Sequence, residues 1–114
     1  MAKSVLVVIR EDPSAGHRAA EALRIALGLS TGSYELSIIL LENARLLLSQ
    51  DLGDLEEIEI LEKHLPVLKE LEIPFYLPLH SSQTFQLDTG FLITEESHDS
   101  LTHRMARADA VLVF

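Results

Sequence analysis

The sequence predicts an α/β fold, a mainly parallel sheet of roughly five strands with helices over both faces. Three observations predict it. Short apolar runs rich in β-branched residues open and close the chain, Ser4 to Ile9 and Ala108 to Phe114. Apart from Ser4 and Asp109 near their starts, these runs are uninterrupted by polar residues, as strands buried on both faces are. Between them, segments with apolar residues at three- and four-residue spacing alternate with further strand-like runs. Alternation of strand and helix gives right-handed crossovers and hence a parallel sheet.

Each element follows in turn. After Ile9, the stretch Glu11-Asp12-Pro13-Ser14-Ala15-Gly16 is turn chemistry. A helix is expected over His17 to Leu29, burying Ala19, Ala22, Leu23, Ala26 and Leu27 and leaving Arg18, Glu21 and Arg24 outside. Ser30 to Ser33 closes it. Tyr34 to Leu41 reads as the second strand, Ala44 to Leu48 as a short amphipathic piece, and Ser49 to Asp54 as a polar turn. Leu55 to Glu72 carries a helical pattern through Ile58, Leu61, Leu65, Leu68 and Leu71. Pro66 interrupts it, so a break near His64-Leu65 is expected, with a second short helix from Pro66 to about Leu71. Ile73 to Leu77 is the third strand, with Pro74 tolerated near its start. His80 to Thr84 reads as polar loop. Phe85 to Leu87 and Phe91 to Ile93 flank Asp88-Thr89-Gly90 as a hairpin, or as a fourth strand with its lead-in. Thr94 or Ser97 caps a last helix running to about Ala106, before the closing strand.

Composition narrows the function classes. At 114 residues, 47% hydrophobic and 24% charged, the chain is expected to be one folded domain over 1–114. Nine Lys and Arg stand against 18 Asp and Glu, a net charge of -9. That balance disfavours the clustered cations that nucleic acids and anionic membranes require, so neither is expected as a partner. The five apolar residues Val5 to Ile9 are too few for a secretory signal or a membrane span, so a cytoplasmic setting is the default. With no cysteine, the chain can form no disulfide, carry no persulfide and offer no thiolate.

The residues that invite chemistry mostly resolve to ordinary roles. Five histidines, His17, His64, His80, His98 and His103, include no i, i+4 pair. His98 and His103 stand about 140° apart on a helix, so no metal site is expected. There is no G-x-S-x-G elbow around Ser81 and Ser82 and no phosphate-cradling glycine loop, so no catalytic motif and no cofactor follow. The helix start after the first strand, with Arg10 and His17, is a candidate anion site opposed by Glu11 and Asp12. The glutamates at 56, 57, 59 and 62, and the group Glu95-Glu96-Asp99 assigned to the last helix, read as solvated faces. Apolar residues are left over: Leu46, Leu47, Leu48, Leu52, the segment Phe75 to Leu79, and Phe85 through Phe91. They either fill the core or mark an assembly surface.

Three stretches carry a resemblance to a known family: VLVVIREDPSAGHRAAEAL, EKHLPVLKELEIPFYL and the terminal RADAVLVF. The chain resembles the DsrE/DsrF-like α/β proteins, most closely the DsrF/TusC branch. The resemblance implies a three-layer α/β/α sandwich assembling as a trimer or hexamer, either of one chain or with cysteine-bearing DsrE-like relatives. It implies association with sulfur transfer, in sulfur oxidation or tRNA 2-thiolation. The family's working subunits carry a persulfide on a cysteine soon after the third strand. Here that region, Tyr76-Leu77-Pro78-Leu79-His80-Ser81-Ser82, has no thiol. The expectation is therefore a non-catalytic structural subunit; the alternative is a homo-oligomeric module for a small molecule or anion. Any pocket is expected beyond the carboxyl ends of the strands, where strand order reverses. Arg10, Ser14, Asn43 and His80 are the candidate contacts, Arg10 foremost.

Overall fold

A computed structural model describes residues 3–50 and 58–114, with nothing stated for the side chains of 58–61. The elements are β1 (Ser4–Ile9), α1 (Arg18–Ser30), β2 (Glu35–Leu40), a 3₁₀ helix (Glu42–Leu48), α2 (Ile58–Glu70), β3 (Phe75–Pro78), α3 (Ser81–Thr84), β4 (Ile93–Glu96), α4 (His98–Arg107) and β5 (Ala110–Val113). All neighbouring strands pair in parallel, in the order β4-β3-β2-β1-β5. β1 lies between two partners and is buried from Val5 to Ile9, which is why its sequence is uniformly apolar.

The strand order explains the two helical layers. From β1 to β4 the chain steps in one direction, and α1, the 3₁₀ helix and α2 all pack on one face. There Val7, Ile9, Ile38, Leu40, Phe75 and Leu77 meet Leu23, Ala26, Leu47, Leu48, Leu65 and Leu68. From β4 the chain returns across the sheet to β5, and a right-handed crossover in that direction must use the opposite face. α4 makes this crossing, burying Leu101 against Leu6, Val8 and Ile39. Four strand spacings span about 19 Å, and ten helical residues about 15 Å, so α4 can bridge the sheet but cannot blanket it. The result is the α/β/α sandwich with a five-stranded parallel sheet expected from the sequence.

Several local expectations change. α2 runs unbroken from Ile58 to Glu70 with Pro66 inside it. Pro66 is exposed while Leu65 and Leu68 are buried, so the carbonyl left without a donor faces water and the helix continues. The expected helical residues 55–57 and the turn residues 51–54 lie outside the described residues, as do Leu52 and the glutamates at 56 and 57. His80 to Thr84 is a left-handed residue, His80, followed by the short α3 rather than open loop. Of the two readings for residues 85–93, the strand is correct: Ile93 to Glu96 forms β4, and Leu87 only bridges to Ser49. Thr94 therefore lies in the strand, and Ser97 caps α4, its hydroxyl accepting from the Ser100 N–H at 3.2 Å. Glu95 and Glu96 belong to β4, not to the last helix, and are half-buried.

The leftover apolar residues are mainly core. Leu47, Leu48, Phe75 and Leu77 have no exposed surface. Phe85 and Phe91 are half-buried against the same cluster, with Phe91 meeting Phe75 edge to face at 5.6 Å. Leu79 remains half exposed, beyond the end of β3.

Candidate functional site

Arg10, Ser14, Asn43 and His80 all follow the carboxyl ends of strands: Arg10 and Ser14 after β1, Asn43 after β2 and His80 after β3. Strand order reverses between β1 and β5, and only Arg10 stands at that reversal. Its backbone N–H donates to Phe114 O at 2.7 Å while its side chain is exposed. Ser14 and Asn43 are brought together by Asp12, a residue expected in the turn after β1 and as a charge opposing an anion there. One oxygen of Asp12 accepts the Ser14 hydroxyl at 2.6 Å and the Ser14 N–H at 2.8 Å; the other accepts the Asn43 amide at 3.1 Å. Bonds from the Ser14 hydroxyl and then its N–H hold the Asp12 carboxyl below its usual range, with Asn43 adding to them. Asp12-Pro13-Ser14 is thus an Asx turn that latches onto the loop after β2, a signal present in the sequence as turn chemistry.

His80 belongs to a second cluster, at the end of β3. Its backbone is left-handed, φ 69°, a conformation that costs a non-glycine residue about 1 kcal/mol. The turn drives the next residue inward, and Ser81 has no exposed surface. The Ser81 hydroxyl donates to Pro78 O at 2.6 Å and accepts from Arg45 Nη1 at 3.0 Å. Arg45 also donates through Nε to Glu42 O at 2.8 Å, and its guanidinium lies 4.5 Å from the centre of the Phe85 ring. Glu95 accepts from the Ser82 N–H at 3.3 Å. Burial raises the Glu95 carboxyl, but bonds from Ser82 and Ser81 and the nearby His80 outweigh it, leaving the group below its usual range. Arg45, Ser81, Phe85 and Glu95 were not legible as a cluster, because 50 residues separate the first from the last.

Chemically this second cluster is closed. The proton of Ser81 is committed to a carbonyl, which is no base, and the other side of its oxygen is filled by Arg45. Such a serine orders the turn.

At the opposite end of the sheet, α4 and the amino halves of β1, β2 and β3 enclose a groove of about 810 Å³. Its floor includes Leu6, Ser37 and Tyr76, and its rim includes Glu35, Asp99 and His103. Arg104 forms one wall, bonded to both Glu96 oxygens at 2.6 and 2.7 Å, with its guanidinium 3.7 Å from the Tyr76 ring centre. Those bonds hold the Glu96 carboxyl below its usual range and raise the guanidinium. Among the described residues, no group of three or more His, Cys, Asp or Glu side chains is placed to hold a metal ion. Nor is any described helix long and apolar enough to cross a membrane.

No protein-family model matches the chain, and no curated protein matches it. Among solved structures, it matches the crystal structure of the ychN protein from E. coli with a TM-score of 0.78. That match covers 100% of both chains at 21% sequence identity. The fold is DsrE-like. Like YchN, the chain has this fold over its whole length, and at this identity the likeness carries the fold and not the site chemistry.

Proposed function

We propose that the chain is a non-catalytic, cytoplasmic subunit of a DsrE-like oligomer associated with sulfur transfer, of the DsrF/TusC kind. One observation carries the reading. The turn after β3, where the resemblance expects a persulfide cysteine, is ordered around a spent serine in a chain without any thiol. A subunit built this way can shape a neighbour's site but cannot carry sulfur itself. Its partners on this reading are copies of itself in a trimer or hexamer, or cysteine-bearing DsrE-like relatives. Arg10, Ser14, Asn43 and His80, at the carboxyl edge of the sheet, are the residues proposed to face a neighbour's site or a ligand.

Native mass spectrometry of the protein alone, and after tagged recovery from its own cells, tests this. A hetero-oligomer containing cysteine-bearing relatives is the expected result. A homo-oligomer in both preparations would separate the chain from sulfur relay, and a monomer in both would end the assembly reading. The groove of about 810 Å³ favours a second reading, a small-molecule or anion-binding module. A rise in melting temperature with a member of a nucleotide and anion panel would support it, since a ligand of the native state alone must stabilise that state. No shift with any member would count against it.

A further inference from the structure

The sheet has two edges, and they are built differently. β4 (Ile93–Glu96) ends one edge with two carboxylates, Glu95 and Glu96. Charge on an edge strand blocks pairing with a second chain. β5 (Ala110–Val113) ends the other, and from Ala110 to Phe114 it carries no charged side chain, no proline and no glycine. Leu112 is 36% exposed and Val113 58%.

The backbone directions on β5 follow from its bonds to β1. Phe114 N donates to Val8 O at 2.8 Å, and Phe114 O accepts from Arg10 N at 2.7 Å. Both polar groups of Phe114 therefore face β1. Strand alternation makes Leu112 and Ala110 do the same and turns the N–H and C=O of Val111 and Val113 outward. Among the described residues these four groups have no partner in the ladder to β1, whose register pairs Val5 with Ala110 through Val8 with Val113.

We infer that β5 is a homotypic docking edge, on which a second copy of this chain adds its own β5 in antiparallel register about Leu112. In that register Leu112 faces the partner copy's Leu112 as a close, non-hydrogen-bonded pair. Val111 and Val113 of each copy form hydrogen-bonded pairs with Val113 and Val111 of the other, satisfying all four outward groups in both chains. Antiparallel two-fold pairing makes the patch complementary to itself. Charge agrees with this occupant. A chain of net charge -9 repels its own copies, so self-contact belongs on a strip without charged side chains, and β5 is such a strip. Asp109, at the amino end of β5, has its carboxylate turned toward its own β1, accepting from the Ser4 N–H at 2.7 Å and the Ser4 hydroxyl at 3.2 Å, which holds that charge away from the open edge. The inference rests on the assembly reading and sharpens it, because a two-fold contact fits a hexamer or a dimer and is absent from a lone cyclic trimer.

The chain lacks cysteine, so a single introduced thiol is a clean reporter. Leu112→Cys places two thiols on the two-fold, where the Cα separation of about 4.5 Å for such a pair lies within disulfide range. Air oxidation of the full chain is expected to give a covalent dimer with Leu112→Cys and none with Thr94→Cys on the β4 edge. Val113→Lys, read by native mass spectrometry, is expected to halve the particle mass while the circular dichroism spectrum stays that of the parent. No Leu112→Cys dimer from a parent that is oligomeric by mass overturns the edge and leaves the assembly reading intact. A monomeric parent with no cross-link removes both. Equal cross-linking through Thr94→Cys, or an unchanged mass with Val113→Lys, also overturns the edge.

Discussion

The two faces of the sheet are made from one set of strands yet are stabilised in different ways. On the face covered by α1, the 3₁₀ helix and α2, eighteen of the described residues form one buried apolar cluster. On the face crossed by α4, the corresponding cluster has four, Leu6, Val8, Ile39 and Leu101. The remainder of that second face is held by a polar arrangement, with Arg104 bonded to Glu96 and lying on Tyr76. The difference follows from connectivity. Three successive crossovers step one way and deposit their helices on one side, whereas a single return crossover serves the other. A crossing helix that cannot cover the sheet leaves a groove, and groove walls are polar because water reaches them. The thick face therefore carries most of the apolar burial, and the thin face carries the groove.

Substitutions can break or sharpen this contrast. The largest effect is expected for Phe75→Ala, which empties the centre of the thick face. A loss of about 3–5 kcal/mol is expected, read as a lower urea midpoint at unchanged slope. Leu101→Ala, which removes the one buried side chain of α4 among the described residues, should cost about 2–3 kcal/mol, because neighbours and water at an open face can relax into the space. If Leu101→Ala equals or exceeds Phe75→Ala, the thin face is not the weaker one. Pro66→Ala works in the opposite direction on the thick side. It restores a helical donor at an exposed position, a gain tempered by the freer unfolded chain. A net rise of about 1–2 kcal/mol is expected, and a fall would mean that α2 depends on its proline.

Glu96→Gln is the smallest change, about 1 kcal/mol at neutral pH, and its sign depends on pH. Arg104 holds the folded Glu96 carboxyl below its unfolded value. The group thus contributes stability that is fully present above the unfolded value and is lost as pH falls through the folded one. Urea melts at pH 7 and pH 3 should show the difference between parent and variant shrinking in acid. A difference that is constant with pH would mean that the pair contributes through packing on Tyr76 alone.

How much of this was legible in the sequence depended on whether the signal was local. β1, β2 and α1 are found where periodicity puts them, within a residue at most ends, because each is a continuous run of one pattern. The break expected at Pro66 was a local rule overridden by exposure: the proline faces water, so its missing bond costs less than interrupting the packing of Leu65 and Leu68. The carboxylates Glu95 and Glu96 were misread as helical surface because a four-residue strand ending in acids gives no apolar alternation. Their partners, Ser82 and Arg104, become visible only when β4 and α4 are in place. Among the candidate site residues, the turn holding Ser14 was readable from Asp12-Pro13-Ser14. The link from Asp12 to Asn43 crosses 31 positions and was not.

By itself, then, the sequence determined the class of fold, the absence of thiol chemistry and the positions of most strands. These depend on composition and on short-range period, which a linear chain displays directly. Only the tertiary structure decided which helix covers which face, which edge carries charge, and which polar groups meet. Strand order sets all three, and strand order is a relation between segments far apart in the chain that no local pattern encodes.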